Sequence, residues 1–235
     1  KERYGAQSFF FTDECFALSP TKRLCQQMID RQVNVKWTCE LRFEKNLTRE
    51  LLGQMRDAGC LKIVFGLESF NQRVMDFMKK GIKQESVRRI VDDCVDLGIA
   101  VHCYVIVGFP TEKEEEALDT MNFVVGNKKL HESYGFSCQP CLFDLEKEAP
   151  IMSDPGSYGI RRIMRPATED LSLGFFYEVQ EGMTPAQAEQ LYQQVYEKIS
   201  EVVCELPFNY SMADGLLYIA RAKSQALQVP QPTGS

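Results

Sequence analysis

Five places along these 235 residues put polar or acidic side chains directly after an apolar run: Asp13 and Glu14, Glu40 and Arg42, Glu68 and Ser69, Gly108 with Glu112, and Gln139 with Cys141. A carboxylate at such a position can accept hydrogen bonds from a ribose diol or an amino group. Gly66 and Gly108, beside two of these acids, would let a ligand ring approach the backbone. The competing expectation for Glu68 and Ser69 is that they begin the next helix, where an acid or a hydroxyl is favourable near free amides.

Metal and nucleophile chemistry have fewer candidates. His102 lies inside an apolar strand pattern and His131 at a helix end, so neither reads as half of a zinc site. Cys138 and Cys141 have a two-residue gap but no second pair nearby. No Ser/His/Asp constellation and no glycine-rich phosphate loop is evident, which counts against a dinucleotide-dependent dehydrogenase.

The elements that must position the acids follow from periodicity. "QSFFFTDE" (7–14), "VNVKWTCEL" (33–41), "CLKIVFG" (60–66) and "AVHCYVIVG" (100–108) read as strands. Helical faces alternate with them: Leu24, Met28 and Ile29; Leu51, Leu52 and Met55 behind a Thr48 cap; a short helix through Val74, Phe77 and Met78; then Val87, Ile90, Val91 and Cys94. "TEKE" (111–114) has capping-box spacing, with Thr111 as cap. Apolar strands alternating with amphipathic helices require an α/β fold with a parallel sheet, and the strand carboxyl ends then form one rim. "YGFSCQPCLF" (134–143) is one more strand.

Beyond it, 144–183 has Pro, Gly and charge at loop frequency. It reads as a crossing, substrate-contacting segment anchored by Tyr158, Ile160, Ile163 and Met164. Helices are expected over 184–223, opened by Thr184, Pro185 and Gln187, and 224–235 reads as a flexible tail.

Composition narrows the class. A hydrophobic fraction of 44% supports a sizeable core, and a net charge of −6 disfavours nucleic acid. The nine cysteines, an odd number set mostly in apolar runs, suit a reducing compartment. No membrane span or signal segment is apparent, so a cytoplasmic protein is expected.

Five segments, "FFFTDECF", "VKWTCELR", "AGCLKIVFGLES", "QRVMDFMKKG" and "HCYVIVGFPTE", resemble in order those of radical S-adenosylmethionine (SAM) enzymes, especially the cobalamin-dependent branch, over residues 7–125. The resemblance implies a partial (β/α)6 TIM-like barrel over 1–143 that lacks its first strand and carries a C-terminal helical extension. It implies S-adenosylmethionine contacts from Asp13 and Glu14 to the methionine amino group, and from Arg42 beside the carboxylate. Glu68 and Ser69 would lie near the ribose, Val107 and Gly108 would back the adenine, and Glu112 matches the acid of the fifth-strand motif.

A [4Fe-4S] cluster, cobalamin, a small-molecule or peptide substrate and an electron donor such as flavodoxin or ferredoxin are implied as well. The family's CxxxCxxC loop is absent from this sequence. Cluster and cobalamin are therefore expected from sequence upstream of Lys1, with this chain inactive alone. Methyl transfer to an unactivated carbon is the expected reaction. Radical cyclisation or rearrangement, and a non-catalytic barrel module binding a nucleoside or partner protein, are the alternatives.

Overall fold

In the computed structural model, residues 3, 5–13, 15–127, 129, 136–165 and 174–202 are described. Five strands, β1 (Ser8–Phe10), β2 (Lys36–Leu41), β3 (Cys60–Glu68), β4 (Ala100–Val107) and β5 (Phe136–Leu142), form one parallel sheet in chain order. The first three connections carry α1 (Leu18–Asp30), α2 (Arg49–Asp57), and α3 (Gln72–Phe77) with α4 (Gln84–Asp96), and α5 (Glu114–Val125) follows β4. With right-handed crossovers, a strand order that never reverses puts all these helices on one face. That is the winding of a barrel wall, and five strands are what a six-stranded barrel without its first strand leaves. A doubly wound sheet would need a reversal.

Burial follows the same logic. Along β4, Val101, Cys103, Val105 and Val107 are buried, while Ala100, His102, Tyr104 and Ile106 are half-buried. The first set joins Leu52, Met55, Ile90, Val91, Cys94 and Val124 in the principal core. The second set faces the concave side, so these strands are covered by helices on one face alone. Trp37, wholly buried on β2, donates its indole N–H to the Ala58 carbonyl at 2.9 Å and locks the end of α2 to the sheet.

Local capping signals place the starts of α2 and α6 (Pro185–Val202), with α5 an exception. Thr48 caps α2, its hydroxyl accepting from Leu51 N–H. At α6, Thr184 Oγ1 accepts from Gln187 N–H and Gln187 Oε1 accepts from Thr184 N–H. The exception is α5, which starts two residues later than a Thr111 cap would place it. There Glu116 accepts from Lys113 N–H at 2.9 Å, and Thr111 takes a φ of 71°. Arg73 also binds Glu116 and the Thr111 carbonyl, so a tertiary tie decides which of two overlapping boxes forms.

The 144–183 segment is more regular than a crossing loop. Its β6 (Leu145–Glu146), β7 (Ile160–Met164) and β8 (Gly174–Val179) make an antiparallel sheet in the order β6-β8-β7, over a core of Leu145, Ile151, Ile160 and Tyr177. A two-residue strand has no readable alternation, and Arg161 and Arg162 interrupt β7. α6 then returns to α5, β4 and β5, burying Ala188, Leu191, Val195 and Ile199. No helix among the described residues is long and apolar enough to cross a membrane. The expected helix at 208–223 and the tail at 224–235 lie outside the described residues.

Candidate functional site

Because β1 to β5 are parallel, their carboxyl ends share one rim, and the four acid-bearing junctions can be followed there. Asp13 is exposed three residues beyond β1, and Glu14 lies outside the described residues. Arg42, exposed one residue past β2, lines a small hollow with Gly66 and Lys80. The rim thus gathers Arg42, Lys80 and the end of β3.

Glu68 has the most unusual backbone on the rim. Its φ is 60°, in the left-handed region that only a few per cent of non-glycine residues adopt, and the β3–β4 register slips between Gly66 and Glu68. Its Oε1 lies 3.2 Å from Lys80 Nζ, which also donates to the Gly66 carbonyl at 3.3 Å. A Cβ on Gly66 would meet Glu68 Oε1 at 2.6 Å. The missing side chain at 66 therefore makes room for this carboxylate, before any ligand is considered.

The helix-start role belongs elsewhere: Asn71 caps α3, accepting from Arg73 and Val74 N–H. Ser69 is fully buried, its hydroxyl accepting from Asn71 N–H and lying 3.3 Å from Thr120 Oγ1. It shapes the turn behind Glu68, while Glu68 keeps an exposed oxygen edge: 22% of its side chain remains accessible.

The end of β4 is built differently. Val107 buries its side chain on the helix side, and its carbonyl accepts from Phe143 N–H at 2.9 Å. Gly108 has φ 85°, and a Cβ there would lie 2.4 Å from Ala188 Cβ on α6. Its N–H donates to Glu112 Oε2 at 2.8 Å. Glu112 is only 1% exposed, and its Oε1 is buried without a hydrogen-bond partner.

Burial, helped by the charge of Glu116 and opposed by the Gly108 N–H, pushes the Glu112 carboxyl up to about 8. A protonated Glu112 is a neutral clamp on the Gly108 N–H.

Sequence reasoning missed two rim residues. Lys80 could have been marked by its place just before Gly81, which ends the α3 turn. Ile106 could have been found by counting back two from Gly108: it pairs with Cys141 on the concave face, where Val107 cannot point. Cys138 and Cys141, three apart on β5, project to opposite faces and form no pair for a metal.

Among the described residues no group of three His, Cys, Asp or Glu side chains could hold a metal ion. Burial pushes the Cys25 thiol up to about 11 and those of Cys94 and Cys138 to about 12, the opposite of what thiolate ligands need. His131 lies outside the described residues. What the rim can do is accept hydrogen bonds at Glu68 and offer positive charge at Arg42 and Lys80, whereas the backbone at 107 and 108 is buried and its carbonyls already accept from Phe143 N–H and Tyr177 O–H.

A family model described as the Radical SAM superfamily matches residues 1–124. An uncharacterized methyltransferase of Pyrococcus horikoshii is 28% identical over 133 residues, covering 56% of this chain and 28% of that protein. Among solved structures, the radical S-adenosylmethionine methyltransferase TsrM of Kitasatospora setae, with cobalamin and a [4Fe-4S] cluster bound, aligns with a TM-score of 0.57 at 14% identity, over 94% of this chain and 53% of that one. Coproporphyrinogen III oxidase HemN of Escherichia coli aligns at 0.53 and 14% identity, over 83% of this chain and 40% of that one. This chain spans about half, or less, of the length of each of these proteins.

Proposed function

Because this chain belongs to the radical SAM superfamily, we propose that its rim binds S-adenosylmethionine. The whole enzyme would cleave that sulfonium reductively to a 5'-deoxyadenosyl radical and methylate an unactivated carbon through methylcobalamin. The observation that carries this reading is Glu68: a half-buried carboxylate held in a strained backbone by Lys80, over a glycine that leaves it room. Strain kept at a rim acid is favoured where a ligand uses the geometry.

Each rim residue has a task in this reading. Glu68 accepts hydrogen bonds from the ribose hydroxyls. Arg42 attracts the methionine carboxylate and Asp13, with Glu14, the methionine amino group. Ile106 and the backbone of Val107 and Gly108 cover the adenine, with Glu112 holding Gly108 and Ser69 shaping the turn under Glu68. Methyl transfer is favoured over cyclisation or rearrangement because two of the similar proteins are named methyltransferases.

The described residues do not fit an iron–sulfur cluster, and both cluster and cobalamin would be held by residues outside this chain. The substrate is a small molecule or peptide, and the electron donor a flavodoxin- or ferredoxin-like protein.

Full-length protein purified without oxygen tests the reading. About four irons per chain and deoxyadenosine formed from S-adenosylmethionine under reduction, weakened in Glu68→Gln, are expected. Folded protein with no iron and no cleavage would overturn it, leaving a barrel module that binds a nucleoside or a partner chain.

A further inference from the structure

Toward the amino ends of the strands, far below the rim, the concave face carries a second polar cluster that the rim chemistry does not use. Lys62 on β3, His102 on β4 and Ser137 on β5 stand side by side: His102 pairs with Val64 and Ser137 in register, and Lys62 lies two residues before Val64. Lys62 Nζ is 3.4 Å from Ser137 Oγ, which is 2.7 Å from His102 Nδ1. Tyr104 packs edge-on against the imidazole at 4.7 Å.

The hydrogen bonding can be worked out from the groups. Burial and the nearby Lys62 charge push His102 down to about 3, so its ring is neutral. An ammonium can only donate, so Ser137 Oγ accepts from Lys62. One proton is shared between Ser137 Oγ and His102 Nδ1, and a hydroxyl with two lone pairs can take it from either side. Two Lys62 N–H groups find no acceptor side chain among the described residues.

Lys62 also has no ion-pair partner among the described residues, although it is half-buried and burial alone pulls it below the usual lysine range. A cation taken partly out of water without a counter-charge is unfavourable. Three neighbouring strands have nonetheless assembled one here, with neutral polar groups beside it. A single positive charge with two unengaged N–H donors suits a singly charged acceptor with two oxygens.

We propose that Lys62, with His102 and Ser137, binds a carboxylate group of the substrate at the base of the concave face. Six residues of β3 separate Lys62 from Glu68, roughly 20 Å at about 3.3 Å per residue. The substrate is therefore elongated, with its acid far from the carbon that reacts at the rim, and its middle passes over the half-buried Tyr104. This inference rests on the proposed reading that the concave face takes substrate. Its test needs no S-adenosylmethionine turnover, so the two can fail separately.

The probe is acetate, added to full-length protein at constant ionic strength against chloride, with inorganic phosphate as comparator and the unfolding midpoint as readout. Ligand that binds the folded state alone raises that midpoint saturably. A saturable acetate effect in the wild type, abolished in Lys62→Met and requiring at least about fivefold more acetate in Ser137→Ala, is expected from loss of one charge-assisted neighbour. Lys62→Arg keeps the charge and should retain part of the effect; with Ser137→Ala it decides the matter if Lys62→Met does not fold.

No acetate effect in the wild type would overturn the proposal, as would an equal effect in the variants. Phosphate binding tighter than acetate would overturn the carboxylate assignment. A carboxylate from elsewhere in the full-length protein already seated on Lys62 would show as the first of these results.

Discussion

The ends of β3 and β4 are built from the same parts and reach opposite electrostatic states. Each has a glycine at the strand end and a glutamate two or four residues later. Glu68 keeps 22% of its side chain exposed and is paired with Lys80. Glu112 is 1% exposed, has no cation in ion-pair contact among the described residues, and bonds to a backbone N–H. A carboxylate that keeps water and a counter-ion stays charged and can meet a ligand, whereas one buried without them takes a proton and becomes a structural group. The residue type alone does not say which.

The contrast can be broken from either end. The largest effect is expected for Gly108→Ala, which combines a left-handed backbone with a collision against Ala188. A loss of about 2–4 kcal/mol, from strain plus overpacking, should appear in the urea midpoint. Glu112→Ala should cost about as much by leaving a cavity and an unpaired Gly108 N–H. Near pH 4, Glu112→Gln should cost under about 1 kcal/mol, because a neutral amide can replace a protonated acid, and at neutral pH it should stabilise the fold, because there the unfolded wild-type chain alone gains by ionising.

A pH series sharpens the same point. The folded Glu112 carboxyl is raised to about 8 from an ordinary 4.5. Its contribution is thus fully present below about pH 4.5 and declines as the unfolded chain ionises while the folded one holds its proton. The decline levels off above about pH 8. Unfolding midpoints of wild type minus Glu112→Gln between pH 4 and 9 should fall in that window, and a flat difference would show that Glu112 is charged in the folded protein.

At the other end, Glu68→Gln should leave stability within about 1 kcal/mol but weaken binding of S-adenosylhomocysteine about 10- to 100-fold by calorimetry. That is the scale of one hydrogen bond to a charged group. The smallest effect is expected for Lys80→Met: under about 1 kcal/mol in stability, as for other partly exposed pairs, with a few-fold loss of the same ligand. A larger loss at Lys80 than at Glu68 would show that the cation touches the ligand directly.

How much of this was legible beforehand differs by element. Strands β2 to β5 and helices α2, α4 and α6 follow from local periodicity and caps: the apolar positions of "CLKIVFG", the Thr48 hydroxyl, the Thr184 and Gln187 box. The α5 cap did not, because Arg73, some 40 residues earlier, selects Glu116 over the nearer Thr111 arrangement. The small sheet of β6, β7 and β8 was also hidden, since its pairing joins short segments whose side chains alternate too briefly to read.

The candidate site divides the same way. That Glu68 and Glu112 stand at strand ends on one rim is determined by the sequence alone, through the alternation of apolar strands and amphipathic helices. That one is half-buried beside a lysine and the other buried without a cation was decided only in the tertiary structure. More than 70 residues downstream, Ala188 fills the space where a Gly108 side chain would stand, and Met183 N–H donates to the Glu112 carbonyl at 2.8 Å. Local preferences act between neighbours in the chain, whereas desolvation is the sum of everything that packs around a group, and no short stretch of sequence contains that sum.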